Sequence, residues 1–424
     1  MVLIPSIEEV SKGVKVVALS RKFLRSASVA LLIGRGSYED PVDGCACLTN
    51  RMRLRLTSRL RPLQLQASMD RLGATVEATS ERDFMLLRAQ VPSKGVAECL
   101  RFLAELFTSP SFRVSEVAKE KTSQKLEYEK MRQDPMSASI LDAWEATFPK
   151  NPLGHPVTGY PETIDKLTPK MLEEFDDETR EKAPLFIAIV APQNESDLIS
   201  YASSAFGNIR IVAHVASHKV EPSRDFNVLR RPLKVKQTTF SVGVATRGVT
   251  SSEYPALLSI EDYLGCERRY VGVLFKELRD KRGLTYFASS RLSALRDCGL
   301  LTAFAGAKHE KVAESISLMF KFMAEMRDKP LPEKKLEELK TFHRQAIGIM
   351  LEVPYQAATW LATNAFRGGK VDFESYISDL EEVSTETIRN VAKQSFTPSR
   401  MALSVAGSPP DDKTLRNIMR EELE

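Results

Sequence analysis

Two stretches of the chain hold residues whose types and spacing suit chemistry. In Leu274-Phe275-Lys-Glu277-Leu278-Arg279-Asp-Lys-Arg282-Gly283-Leu284-Thr-Tyr286 an arginine and a tyrosine stand four residues apart. A planar guanidinium grips a peptide carbonyl or a carboxylate, and a phenol donates a hydrogen bond to a developing oxyanion. Gly283 also reads as the glycine just past a helix C-terminus. In Ala118-Lys-Glu120-Lys-Thr-Ser-Gln-Lys-Leu-Glu127 two carboxylates lie seven residues apart. Seven residues are two helical turns, so both share one helix face. The same pattern also describes a solvated charged helix. Other features carry less. His214 and His218 are four apart but lack an acid placed as a third ligand, and are expected to be solvent-exposed. Cys45 and Cys47 point to different sides of a helix and chelate poorly. Gly368-Gly369 follows no strand and reads as a turn, not a phosphate loop.

The elements that must position these residues repeat along the chain. Val29–Gly34 is a strand running into Arg35-Gly36, and Phe240–Thr246 runs into Arg247-Gly248, 212 residues later. Phe102-Leu-Ala-Glu-Leu106 matches Phe322-Met-Ala-Glu-Met326, and Pro135 matches Pro354, each after a long charged helix. Thr168 and Ser384 are matching N-caps, and Phe186–Val190 and Met401–Val405 are matching strands. We therefore expect two homologous halves, 1–208 and 233–424, joined by a linker at 209–232. Strands at Val14–Ser20, Ala27–Ile33, Phe84–Val91 and Leu185–Val190 predict a mainly antiparallel sheet in the first half, with long helices over one face. That is an α+β layer arrangement. The helix Val114–Arg132 shows the 3.6 period only weakly, at Val117, Leu126 and Met131, and is otherwise highly charged. It must be largely exposed or face a polar cavity.

Composition excludes several classes. The 424 residues are 43% hydrophobic and 27% charged, with 60 basic and 56 acidic side chains and a formal charge of +4. That balance lacks the concentrated basic face of a nucleic-acid binder. The best basic candidate, Arg51 to Arg61, reads instead as a solvated helix face or subunit contact. No apolar run reaches the roughly 18 residues of a membrane helix. The first 16 residues show no signal pattern. Five cysteines, an odd number without CxxC spacing, imply free thiols and a reducing compartment. The cytoplasm is expected, or the periplasm or mitochondrial matrix if a targeting segment has been removed.

The segment Gly36-Ser-Tyr-Glu-Asp-Pro-Val-Asp-Gly44-Cys-Ala-Cys47-Leu-Thr-Asn50-Arg51-Met52 resembles the signature region of the pitrilysin and mitochondrial-processing-peptidase family, the inverzincins. There Gly-Ser-x-x-Glu is followed by Gly-x-Ala-His-x-x-Glu-His-Met. Two histidines ligate zinc from one helix face, and the glutamate between them polarises water. In this chain the first histidine falls on Cys47, the glutamate on Asn50 and the second histidine on Arg51. Asn50 has no basic oxygen. Arg51 cannot deprotonate and repels a divalent cation. Only Cys47, as a thiolate, retains ligand chemistry. The family's third ligand, about eighty residues on, falls on Glu127, with its upstream partner on Glu120. We expect Arg51 to fill the metal position and pair with Glu127.

The Leu274–Tyr286 segment is similar to the family's Leu-Phe-x-Glu-Leu-Arg-x-Lys-Arg-Gly-Leu-x-Tyr. There the arginine and tyrosine, here Arg282 and Tyr286, reach bound substrate across a closed chamber. The resemblance runs from about Gly13 to Gly407. It implies a chain with no catalytic residue or zinc of its own, half of a clamshell dimer. The partner would be a homologous subunit with intact His-x-x-Glu-His and its zinc. The substrate would be an unfolded peptide, with no nucleic acid and no membrane span. Two further readings follow from the family: a structural core subunit of a respiratory cytochrome bc-type complex, and a peptide-binding homodimer without hydrolysis. A third, an active peptidase using Cys47 and Glu127, is disfavoured by Asn50.

Overall fold

The computed structural model describes residues 4–215, 220, 225–266 and 272–423. The first sheet has six strands: β1 Ser6–Ser11, β2 Val14–Ser20, β3 Ser26–Ile33, β4 Thr75–Ser80, β5 Met85–Pro92 and β6 Leu185–Ala191. They lie in the order β1-β2-β6-β3-β5-β4. Only β2 and β6 pair in parallel; the other neighbours are antiparallel. The second sheet has β7 Asn227–Pro232, β8 Thr238–Arg247, β9 Thr285–Ala294, β10 Cys298–Ala307 and β11 Met401–Gly407, in the order β7-β11-β8-β10-β9. There only β7 and β11 are parallel. Without β1 the two orders are the same, position for position, down to the single parallel pair. The internal repeat is thus a repeat of topology. Its matching caps hold: the Thr168 side chain accepts from the Met171 N–H, and that of Ser384 from the Thr387 N–H.

The chain divides into two compact units that do not follow the halves in sequence. One is Met1–Tyr128, Pro156–Ser217 and Gly348–Tyr376. The other is Glu129–His155, His218–Ile347 and Ile377–Glu424. Each half thus lends one proline-started helix to the other's sheet. Helix Pro135–Thr147 packs on β8 and β11, and helix Pro354–Arg367 packs on β3 and β6.

This corrects the expectation that helices cover one sheet face. Strands alternate their side chains between two faces. On β8 and β11, Phe240, Val242, Val244, Leu403 and Val405 enter the unit's main apolar core. The intervening Ser241, Gly243 and Ser404 meet the lent helix. The Ser139 and Ser241 hydroxyls hydrogen-bond at 2.8 Å, and a Cβ at Gly243 would lie 2.5 Å from Thr147 Oγ1. Small residues on that face admit the helix closely. In the first sheet, Phe366 of the lent helix stacks edge-on against Phe84 and Phe186. Arg367 makes a two-pronged ion pair with buried Asp83, at 2.7 and 2.9 Å. Local sequence cannot show a helix that closes a sheet formed from distant parts of the chain.

Candidate functional site

Helix Cys45–Arg53 carries the degenerate motif. It begins at Gly44, whose φ of +94° favours glycine. The Asp40 carboxylate accepts from the Gly44 and Ala46 N–H groups at 2.8 and 2.7 Å. Burial nevertheless pushes the Asp40 carboxyl well above its ordinary range, against the pull of those bonds.

Cys47 is buried, and burial pushes its thiol up to about 12. It is therefore a neutral thiol at physiological pH. Asn50 is 1% exposed. Its Nδ2 donates to the Thr79 carbonyl at 2.7 Å, with longer contacts at 3.4 Å to Ser80 Oγ and the Leu86 carbonyl. A donor is what those carbonyls need, and a glutamate would set its charge against them. Asn50 thus ties the helix to β4 and β5.

Helix Val114–Gln133 lies alongside. Its buried residues are Val117, Glu120 and Gln124. They follow helical spacing, but two of the three are polar, so apolar periodicity could not reveal them. Arg51 Nε donates to Glu120 Oε2 at 2.9 Å, and Arg51 Nη1 to Glu127 Oε2 at 2.7 Å. One guanidinium thus joins both carboxylates, as the spacing of seven permits. Arg55 Nε takes the other oxygen of Glu120. Burial works to lower the Arg51 pKa, but the neighbouring negative groups prevail and hold it above its ordinary value. Gln124 Nε2 donates to the Gly44 and Thr158 carbonyls at 3.1 and 2.7 Å, fixing the two helices together.

Arg53 is fully buried on the opposite side. It ion-pairs with Asp176, donates to the Leu106 and Phe107 carbonyls, and stacks over the Phe107 ring. Arg53 thus lies in the core, Arg51 is half-buried, and Arg55 reaches Glu120 from a partly exposed position. Three of the five arginines in the basic stretch therefore serve intramolecular ion pairs.

The donor set does not fit zinc. It offers a protonated thiol, an amide whose N–H group is engaged, and a guanidinium already lying between the carboxylates. Among the described residues, no group of three or more His, Cys, Asp and Glu side chains could hold a metal ion.

The second half builds a different corner. Residues Phe275–Asp280 form a π-helix, closed by Gly283 at φ +60°. The Gly283 N–H donates to the Arg279 carbonyl, and that of Leu284 to the Leu278 carbonyl. The expected glycine cap is present. Arg282 follows the π-helix and Tyr286 stands on edge strand β9, their side chains 40% and 48% exposed. Glu277 accepts from both Arg282 and Lys281.

Sequence reading missed one buried pair, His343 Nδ1 to Asp262 Oδ2 at 2.6 Å. The 212-residue offset sets Asp262 opposite Asn50, so a residue-by-residue reading of the repeat could have found half of it. His214 is exposed, and His218 lies outside the described residues. Gly368 caps helix Pro354–Arg367 at φ +80°. No helix among the described residues is long and apolar enough to cross a membrane.

Comparison with known proteins places this geometry. The pattern described as insulinase (peptidase family M16) matches residues 15–160, and that of the peptidase M16 inactive domain matches residues 166–342. The uncharacterized zinc protease YmxG of Bacillus subtilis is 24% identical over 391 residues, spanning 91% of this chain and 94% of the relative. The probable inactive metalloprotease YmfF of the same organism is 23% identical over 374 residues, 82% and 86% of the two chains. A solved peptidase M16 inactive domain from Pseudomonas fluorescens superposes with a TM-score of 0.84 at 20% identity, covering 96% of this chain and 99% of that one. A chain of complex III2 from Candida albicans gives 0.80 at 16%, covering 98% and 99%. A repeated five-strand order and two matching patterns over most of its length make this chain a member of the M16 peptidase family.

Proposed function

We propose that this chain is the non-catalytic member of a two-chain zinc peptidase. It presents Arg282 and Tyr286 to the zinc site of a homologous subunit that keeps His-x-x-Glu-His, and the pair hydrolyses unfolded peptides. The carrying observation is an asymmetry. The zinc-signature helix is committed to an Arg51–Glu120–Glu127 ion cluster, while Arg282 and Tyr286 stay open to solvent. A relative named as a probable inactive metalloprotease supports the first part. The partner polarises water and attacks the scissile bond. Arg282 orients the peptide, and Tyr286 donates to the developing oxyanion. Five buried free cysteines support a reducing compartment, the cytoplasm.

The second reading, a structural core subunit of a cytochrome bc-type complex, is prompted by the fold likeness to the complex III2 chain. The test is metal content and cleavage of an unstructured fluorogenic peptide, by the chain alone and mixed with a His-x-x-Glu-His subunit. The chain alone is expected to be zinc-free and inert. The mixture gains activity that falls roughly 100-fold in Tyr286→Ala and is also lost in Arg282→Ala. A chain that alone binds stoichiometric zinc and cleaves overturns the proposal. Failure of every mixture moves the structural or peptide-binding reading ahead.

A further inference from the structure

Glu277 lies at the corner around Arg282 and joins both of its basic neighbours. Over Phe275–Asp280 the chain winds as a π-helix, with the Lys281 N–H reaching the Lys276 carbonyl five residues back. Such turns are rare and recur at functional sites. Arg282 folds back across this turn onto a single residue. Its Nη1 donates to the Glu277 carbonyl at 2.9 Å and to Glu277 Oε2 at 2.7 Å. The other carboxylate oxygen of Glu277 takes Lys281 Nζ at 2.7 Å. The Glu277 side chain is sheltered, at 15% exposure. Bonds from Lys281 and Arg282 hold its carboxyl below the usual range, so it stays ionised at neutral pH.

Both contacts spend the same guanidinium nitrogen. An arginine has five N–H donors. Three remain, on Nε and Nη2, without a partner among the described residues. Those two nitrogens form the edge that binds a carbonyl or carboxylate side-on. A contact competing with ligand would occupy that edge, and this one does not. Fixing the side chain beforehand also removes freedom that it would otherwise lose on binding.

We infer that Glu277 is a positioning residue for Arg282, holding its guanidinium as a ready fork for a carbonyl or carboxylate oxygen of an extended peptide. The inference rests on the peptide-binding role proposed for Arg282.

The test is anisotropy of a fluorescein-labelled unstructured peptide on the full chain, with thermal unfolding recorded for each variant. Glu277→Gln is expected to weaken binding roughly 2–10-fold, the range set by one re-freed side chain. It should have no further effect in an Arg282→Ala background, since the two act as one unit. Glu277→Asp should recover part of the loss. Lys281→Ala, which removes only the other partner of Glu277, should bind as wild type. Unchanged or tighter binding in Glu277→Gln overturns the inference and leaves the role of Arg282 standing. So does an equal loss with and without Arg282. A wild-type chain that binds no peptide, or Arg282→Ala binding as wild type, overturns the reading of the site itself and the inference with it.

Discussion

The zinc-signature helix of the first half and the Leu274–Tyr286 corner of the second use arginine in opposite ways. Around Cys45–Arg53, three arginines have their guanidinium groups engaged by carboxylates: Arg51 on Glu120 and Glu127, Arg55 on Glu120, and fully buried Arg53 on Asp176. At the second corner one nitrogen of Arg282 is anchored, and the rest of its guanidinium lies open. The first arrangement spends its guanidinium groups on internal carboxylates, although Arg53 Nε and Asn50 Oδ1 are buried without a hydrogen-bond partner. The second has unused hydrogen-bonding capacity, as recognition requires. Where charges are spent inside a family's catalytic motif, that motif has become structure.

The comparison breaks most easily at Arg53. It is fully buried and paired with buried Asp176. Arg53→Ala removes a buried side chain and one of the two arginines on buried Asp176, leaving Arg180 Nε at 2.8 Å, and should cost about 2–5 kcal/mol, read as a lowered midpoint in urea. A loss below about 1 kcal/mol would show that these arginines are not structural. Next comes Asn50→Glu, the step back toward the family motif. The carboxylate cannot donate to the Thr79 carbonyl, so a loss of about 1–3 kcal/mol is expected, with no gain of zinc in metal analysis. A variant that is stable and takes up zinc would mean the helix is still a metal site.

The Cys47 thiol sharpens the comparison at alkaline pH. Its folded pKa, raised to about 12, stands above the ordinary 9.0. Its contribution to stability is therefore intact below pH 9 and is lost as pH rises toward 12. Alkylation of Cys47 in the native protein should stay slow at pH 9 and accelerate on unfolding, as peptide mapping would reveal. Rapid native labelling would mark the thiol as open to ligands. The smallest effect is expected at the other corner. Arg282→Ala should change stability by no more than about 0.5 kcal/mol, because an exposed ion pair contributes little. A larger loss in thermal unfolding would turn Arg282 into one more structural arginine and end the contrast.

Much of this was legible before any coordinates. The strand positions follow from continuous apolar runs, and the repeat from the Arg-Gly pairs and proline-started helices. The Arg51–Glu127 pair follows from the family resemblance, which sets both residues on metal-ligand positions. The polar stripe Glu120–Gln124 was not legible, because hydrophobic periodicity cannot flag a helix whose buried face hydrogen-bonds. Nor was the burial of Arg53, since a run of arginines reads alike in solvent and in a core that holds a carboxylate.

Local sequence alone determined the elements, their twofold repetition and the residue types at Cys47, Asn50 and Arg51 that depart from the family's motif, because these depend on side-chain type and on order along one chain. Tertiary structure alone decided the exchange of helices Pro135–Thr147 and Pro354–Arg367 between the two sheets. It also decided which arginines are buried and that Glu277 holds Arg282. Each of these is a choice of partner among many of like charge or like polarity. Such choices are settled by packing and distance in space, which residue types and spacing leave open.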